Sequence, residues 1–157
     1  MKCILFLVTF IALAGCSSLR QDRFVVQSSA LDYLQIVRTV QPADGSLPIT
    51  TRIDLSGSGY LQVMTGRSER IRTGFWQDPD SPAWQDLRRD YVVLPAHETL
   101  AFFQAFVNAG LFDSRSERRG APPPELAILM GVRGRKTLLL TAEPQFLYLY
   151  EALRSRL

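Results

Sequence analysis

Between residues 49 and 76, apolar and polar positions alternate with a period of two, interrupted by glycine turns. In "ITTRIDL", Ile49, Thr51, Ile53 and Leu55 share one face, while Thr50, Arg52 and Asp54 share the other. That alternation is the mark of a half-buried strand. "SGSG", residues 56–59, turns the chain, and "YLQVM" resumes with Leu61 and Val63 inward. "TGRS" turns it again. "ERIRTGFW" then places Ile71, Thr73 and Phe75 inward, with Arg70, Arg72 and Trp76 outward. The pattern predicts an antiparallel meander. Upstream, "DYLQIVRTV", residues 32–40, fits two periods. Leu34, Ile36 and Val40 alternate as on a strand, with Arg38 out of place, whereas Leu31, Leu34 and Val37 mark a helical stripe. Its β-branched content favours the strand. "QPADGSLP" is a loop by its turn residues.

The period changes after residue 94. "QDPDSPAWQDLRRD", residues 77–90, reads as an acidic, proline-containing surface loop, and "YVVL" as a short extended piece. Pro95 suits a helix start, and Glu98 suits the positive end of its dipole. Leu100, Phe103 and Val107 form one stripe, widened by Phe106; Gly110 ends the helix, with Leu111 folding back. "DSRSERRGAPPP" is a charged loop with a proline run. "ELAILMGV" and "KTLLLT" predict a hairpin around Gly134-Arg135, a glycine-first two-residue turn. Both strands are apolar at nearly every position, as for strands covered on both faces. Phe146, Leu149, Tyr150, Leu153 and Leu157 give a last helix, with Pro144 in its first turn and Arg154 and Arg156 at its negative end. Strands, helix, hairpin, helix is an α+β order, with two helices packed on one antiparallel sheet.

The amino-terminal segment is of another kind. Lys2 precedes "ILFLVTFIALA", residues 4–14, which is shorter than the roughly 20 apolar residues that span a bilayer. Charge, apolar length and small residues fit a secretory signal peptide. Leu13-Ala14-Gly15-Cys16 resembles the bacterial lipobox. The resemblance implies cleavage before Cys16, a thioether-linked lipid on its sulfur, and often an acylated amine. An ordinary signal peptide that carries a cysteine by chance is the alternative. The expected division is a signal peptide over residues 1–15, a lipid-anchored tether over 16–30, and one α+β domain over 31–157. Cys3 leaves with the signal and Cys16 carries lipid, so thiol chemistry drops out of the mature chain. Two or three acyl chains anchor stably where one does not. Ser17, in place of the aspartate that tends to retain lipoproteins in the inner membrane, points to the outer membrane, facing the periplasm.

Charge narrows the function classes. The mature chain has 17 basic against 15 acidic side chains, too balanced for a nucleic-acid protein. Arginine supplies nearly all of the positive charge, and Lys136 is the only mature lysine. His97 is the single histidine, and no G-x-S-x-G or related serine motif accompanies it, so no catalytic residue is assigned. Without a second histidine or a free cysteine, a histidine-based zinc site lacks ligands. Asp78, Asp80, Asp86 and Asp90 invite a calcium reading. Against it, "DPDSPAWQDLRR" has proline, alanine and arginine where an EF-hand loop needs its third ligand, its glycine and its last ligand. A solvated loop is favoured, and no metal or other cofactor is expected beyond the covalent lipid. The "GSG" of residues 57–59 lacks a dinucleotide loop's further glycine and reads as a hairpin turn.

The outward meander face is the candidate binding surface. It carries Arg52, Tyr60, Gln62, Arg70, Arg72 and Trp76. Arginine among tyrosine and tryptophan is the mixture enriched at binding hot spots. The competing reading is a solvated sheet face held by cross-strand pairs. Trp84 either covers this face or anchors the preceding loop to the core. The stretches "LAFFQAFVNAGLFD", "LAILMGVRGRKTLLLT" and "PQFLYLYEALRSRL" resemble emfourin, the small bacterial inhibitor of thermolysin-type metalloproteases, over about residues 94–157. Pro124-Glu125 stands where emfourin-like chains often carry an aspartate. The expectation is a lipid-anchored, non-enzymatic binding or structural accessory module with an envelope protein as partner; the alternative is an emfourin-like inhibitor.

Overall fold

Ile36, Ile53 and Ile128 lie side by side at the centre of the sheet, each fully buried. They come from three strands that are far apart in sequence. The computed structural model describes residues 25–27, 29–67, 84–113 and 125–157. Four strands run in order: β1 (Tyr33–Val40), β2 (Ile49–Ser56), β3 (Tyr60–Arg67) and β4 (Gln85–Val93). Helix α1 (Ala96–Asn108) follows, then β5 (Leu126–Val132), β6 (Arg135–Thr141) and α2 (Pro144–Arg154). The sheet order is β4-β3-β2-β1-β5-β6, with every pair antiparallel. The α+β order with two helices on one sheet is therefore borne out.

One face carries the core. Leu34, Ile36, Ile53, Leu55, Leu61, Val63, Leu126, Ile128, Met130 and Val132 are buried there against Phe103, Phe106 and Val107 of α1 and Phe146, Tyr150 and Leu153 of α2. Phe106 and Phe146 stack between the helices, with ring centroids 6.3 Å apart. Gly110 takes φ +91°, the Leu111 N–H donates to the Phe106 carbonyl at 3.2 Å, and Leu111 is buried. This is the folded-back helix end that the sequence predicts.

Residues 32–40 favour strand over helix, and β1 lies between β2 and β5. Arg38, which breaks its alternation, sits at the open end of the core face. Its guanidinium lies 5.4 Å from the Tyr150 ring centroid and bonds Glu151 at 2.9 Å and Glu125 at 3.2 Å. One side chain thus ties α2 and the start of β5 to the central strand. These partners are half-exposed, so Arg38→Met should lower stability by only about 1–2 kcal/mol in a denaturant titration.

Three expectations are corrected. The surface loop over 77–90 is strand from residue 85 onward, and "YVVL" opens with that strand's last three residues. Asp86, at φ 54°, sits where the β3–β4 register slips between Thr65 and Arg67, which marks a bulge on an edge strand. The hairpin turn is Arg133-Gly134 rather than Gly134-Arg135, because Val132 pairs with Arg135. Both turn residues have positive φ, 49° and 76°, as a type I′ turn requires. The buried Asp32 carboxylate accepts the Arg133 N–H at 3.0 Å and holds the non-glycine residue there. Finally, β5 is covered on both faces but β6 is not: Leu138 and Leu140 are exposed on the sheet's edge strand.

Within residues 16–30, the described stretch begins at Val25. Val26 is buried in the core, and its N–H donates to Gln104 Oε1 of α1 at 2.8 Å. The Val25 carbonyl accepts from Arg133 Nη1 at 3.3 Å. Among the described residues, no helix is long and apolar enough to cross a membrane.

Candidate functional site on the outward sheet face

The strand register assembles this face from residues of five strands, β1 to β5. Opposite the helices, β1 presents Tyr33, Gln35 and Val37, and β2 presents Thr50, Arg52, Asp54 and Ser56. Strand β3 adds Tyr60, Gln62, Met64 and Gly66, β4 adds Arg89, Tyr91 and Val93, and β5 adds Leu129 and Gly131. Arg52, Tyr60 and Gln62 therefore share one face, as the alternation predicts. Arg70, Arg72 and Trp76 lie outside the described residues, as do Cys16, Asp78 and Asp80.

The face is drier than a plain solvated one. Thr50, Met64 and Leu129 are buried on it. Trp84 covers one end: a Cβ on Gly66 would lie 2.8 Å from its ring. Of the two places open to Trp84, the structure selects the sheet. The Tyr33 ring covers Gly131 in the same way. Thr39 and Thr50, paired across β1 and β2 on this face, share a hydrogen bond of 3.1 Å.

Between these covers lies a shallow hollow of about 220 Å³, lined chiefly by Tyr33, Gln35, Asp54, Tyr60, Gln62 and Leu129. Beside its mostly apolar lining runs a short chain of polar bonds. The Gln35 Nε2 donates to Asp54 Oδ1 at 2.6 Å, and the Arg52 Nε lies 2.8 Å from Asp54 Oδ2. Arg52 and Asp54 are two residues apart on one strand, so the pleat alone puts them on the same face. The pair leaves the hollow close to neutral. Gln35 is 6% exposed, and its Oε1 is buried with no hydrogen-bond partner. Flipping the amide cannot relieve this, because Asp54 as a carboxylate only accepts. A buried acceptor left unmade costs about 1–3 kcal/mol. At the hollow's rim Tyr60 stacks on Tyr91, centroids 5.9 Å apart and rings inclined by 27°. Both rings are exposed, 42% and 69%.

No protein-family model and no curated protein matches the chain. The site is therefore read from its own geometry, and no enzyme family is assigned to it.

Sequence reasoning missed Gln35, Tyr33, Leu129 and Tyr91. Gln35 and Tyr33 fall on the outward phase of β1, which the alternation contains. Their neighbours Leu129 and Gly131 come from β5, paired across more than ninety residues of chain. Tyr91 falls in a piece too short to assign by pattern. His97 is exposed in the first turn of α1. Asp86 and Asp90 lie on β4, and Asp86 faces Arg67 at 3.9 Å. Among the described residues no group of three or more acidic, histidine or cysteine side chains is placed to hold a metal.

Proposed function

We propose that the chain is a lipid-anchored protein of the bacterial cell envelope. It is held at the outer membrane through Cys16, faces the periplasm, and acts as a non-enzymatic binding or accessory module. The anchoring rests on the short apolar run that ends in Leu13-Ala14-Gly15-Cys16. The binding role rests on the outward sheet face, where a hollow with an unpartnered buried acceptor lies beside an exposed tyrosine pair. The partner is an envelope component met by this face, with Arg70, Arg72 and Trp76 as further candidate contacts.

Mass spectrometry of the mature amino terminus tests the anchor. The expected first residue is Cys16 bearing a diacylglyceryl thioether, and Cys16→Ser should abolish both the lipid mass and the membrane fractionation. An unmodified Cys16, or a cut elsewhere, removes the localisation. The second reading, emfourin-like inhibition, rests on the resemblance over residues 94–157. It predicts slowed peptide cleavage by a thermolysin-type protease from the same organism, and unchanged rates across such proteases would eliminate it.

A further inference from the structure

We propose that β6 is a docking edge for a second copy of this chain. Two β6 strands pair antiparallel about a two-fold axis at Leu139, so that one sheet runs through both copies. The proposal goes beyond the binding-module reading and draws on neither the anchor nor the hollow.

The two edges of the sheet are built differently. Strand β4 exposes Asp86, Arg88, Arg89 and Asp90 and carries a bulge, devices that discourage strand addition. Strand β6 keeps an unbroken register against β5, and its stretch Thr137–Thr141 contains neither charge nor proline. Leu138 and Leu140 are 56% and 60% exposed there. Among the described residues, β6 pairs with β5 alone.

Backbone geometry limits the register. The two-residue turn closes on a hydrogen-bonded pair, Val132 with Arg135. Hydrogen-bonded and non-hydrogen-bonded pairs alternate from there. Lys136, Leu138 and Leu140 therefore turn their N–H and C=O groups away from β5, toward the open edge. Even-numbered residues must then meet even-numbered residues across the new seam. Two registers do this with both leucines paired inside the strand. With the axis at Leu138, Lys136 falls opposite Leu140, and Arg135 falls opposite Thr141. With the axis at Leu139, Leu138 of each copy falls opposite Leu140 of the other, and Arg135 falls opposite Glu143 at each end. The second register is complementary in charge as well as in apolar contact. Arg135 and Glu143 are both exposed, and Glu143 is still extended, at φ −68° and ψ 132°. Lys136, the kind of charge that guards an edge, stands opposite Ala142. Leu139, partly buried against the core, meets its own copy on the helix side. One strand thus complements itself along its length, as an isologous two-fold contact requires. An unrelated extended peptide has no reason to carry that spacing.

Cysteine cross-linking tests the register. Opposed residues that are not hydrogen-bonded have Cα atoms about 4.5 Å apart, within reach of a disulfide. Leu139→Cys should therefore give a disulfide-linked dimer when cells producing the full-length chain are oxidised with copper phenanthroline. Leu138→Cys or Leu140→Cys alone should not, because each stands diagonal to its own copy at roughly 7–8 Å. The two produced together as separate chains should cross-link, at about 5.5 Å. In the Leu139→Cys chain, adding Leu138→Lys and Leu140→Lys sets like charges opposite and should return the dimer to background. Leu138→Lys with Leu140→Glu, at the same exposed sites, should keep it. Protease resistance confirms that each variant folds, and if Leu139→Cys does not, the mixed pair of exposed variants decides the point. A dimer from Leu138→Cys alone, or equal dimer from the two charged doublets, overturns the register and with it the proposal. So does the absence of dimer from both Leu139→Cys and the mixed pair, or a cross-link to a different protein in place of a second copy. The unaltered chain, with Cys3 and Cys16 as its only cysteines, sets the background, so failure here leaves the Cys16 measurement untouched.

Discussion

Phe106→Ala should destabilise the domain by about 3–5 kcal/mol. Phe106 is fully buried, its ring is stacked on Phe146, and it stands where α1 and α2 meet over the sheet. Truncation removes the transfer free energy of the ring and leaves a void between two helices. Leu111, whose N–H is tied to the Phe106 carbonyl, holds the end of α1 and limits collapse into that void. Urea titration followed by far-UV circular dichroism reads the loss as a lower midpoint at unchanged slope. Domain stabilities of 5–15 kcal/mol make such a loss severe. A shift below about 1 kcal/mol would show that the helix interface is not where the core derives its stability.

The second large effect is expected at Gly57→Ala, about 2–4 kcal/mol. A Cβ at Gly57 would overlap the Ser29 carbonyl oxygen, and it would sit 3.2 Å from the Asp32 Cβ. The Gly57 N–H also donates to the Asp32 carbonyl at 2.6 Å, so the turn cannot move away without losing a bond. The obstacle is backbone rather than a movable side chain. The 29–32 segment must therefore shift, and with it the stretch that carries Val26 into the core. Hydrogen exchange distinguishes this from a general loss: the Val26 and Arg133 amides should lose protection before those of the central strands. Uniform loss would contradict the local account.

Much of the fold is written in local pattern. Residues 49–55 and 61–63 alternate so regularly that both strands and their inward faces follow from period alone. The two helix stripes hold because Phe103, Phe106 and Val107, and Phe146, Tyr150 and Leu153, recur at helical spacing. Strand β4 is harder to read because an edge strand needs little apolar surface. Gln85, Asp86, Arg88, Arg89 and Asp90 are all exposed, and charge on an edge also discourages pairing with another chain. The turn at Arg133-Gly134 was displaced by one residue for a reason that no local rule contains: Asp32, a hundred residues earlier, satisfies the Arg133 N–H.

The candidate site divides in the same way. Arg52, Tyr60 and Gln62 were legible as outward residues of one meander. Gln35 lies on the outward phase of β1, but its meeting with Leu129 was not legible, because β1 meets β5 only after the chain has crossed over through α1. The hollow forms at that non-local seam. Its orphaned oxygen is a property of three-dimensional accounting rather than of spacing: Gln35 turns one end of its amide to Asp54 and leaves the other unmatched.

The burial of Val26 sets a leash. With the proposed anchor at Cys16, only ten residue steps would separate the membrane surface from a point fixed in the core. Fully extended, that many residues reach about 33–36 Å, and a relaxed chain reaches far less. A protein so anchored would stay within roughly its own diameter of the lipid and would search a thin shell rather than the whole compartment. Lengthening the segment ahead of Val26 would widen the shell without touching the binding face. Under the proposed function, range and recognition would thus be set by separate parts of one short chain.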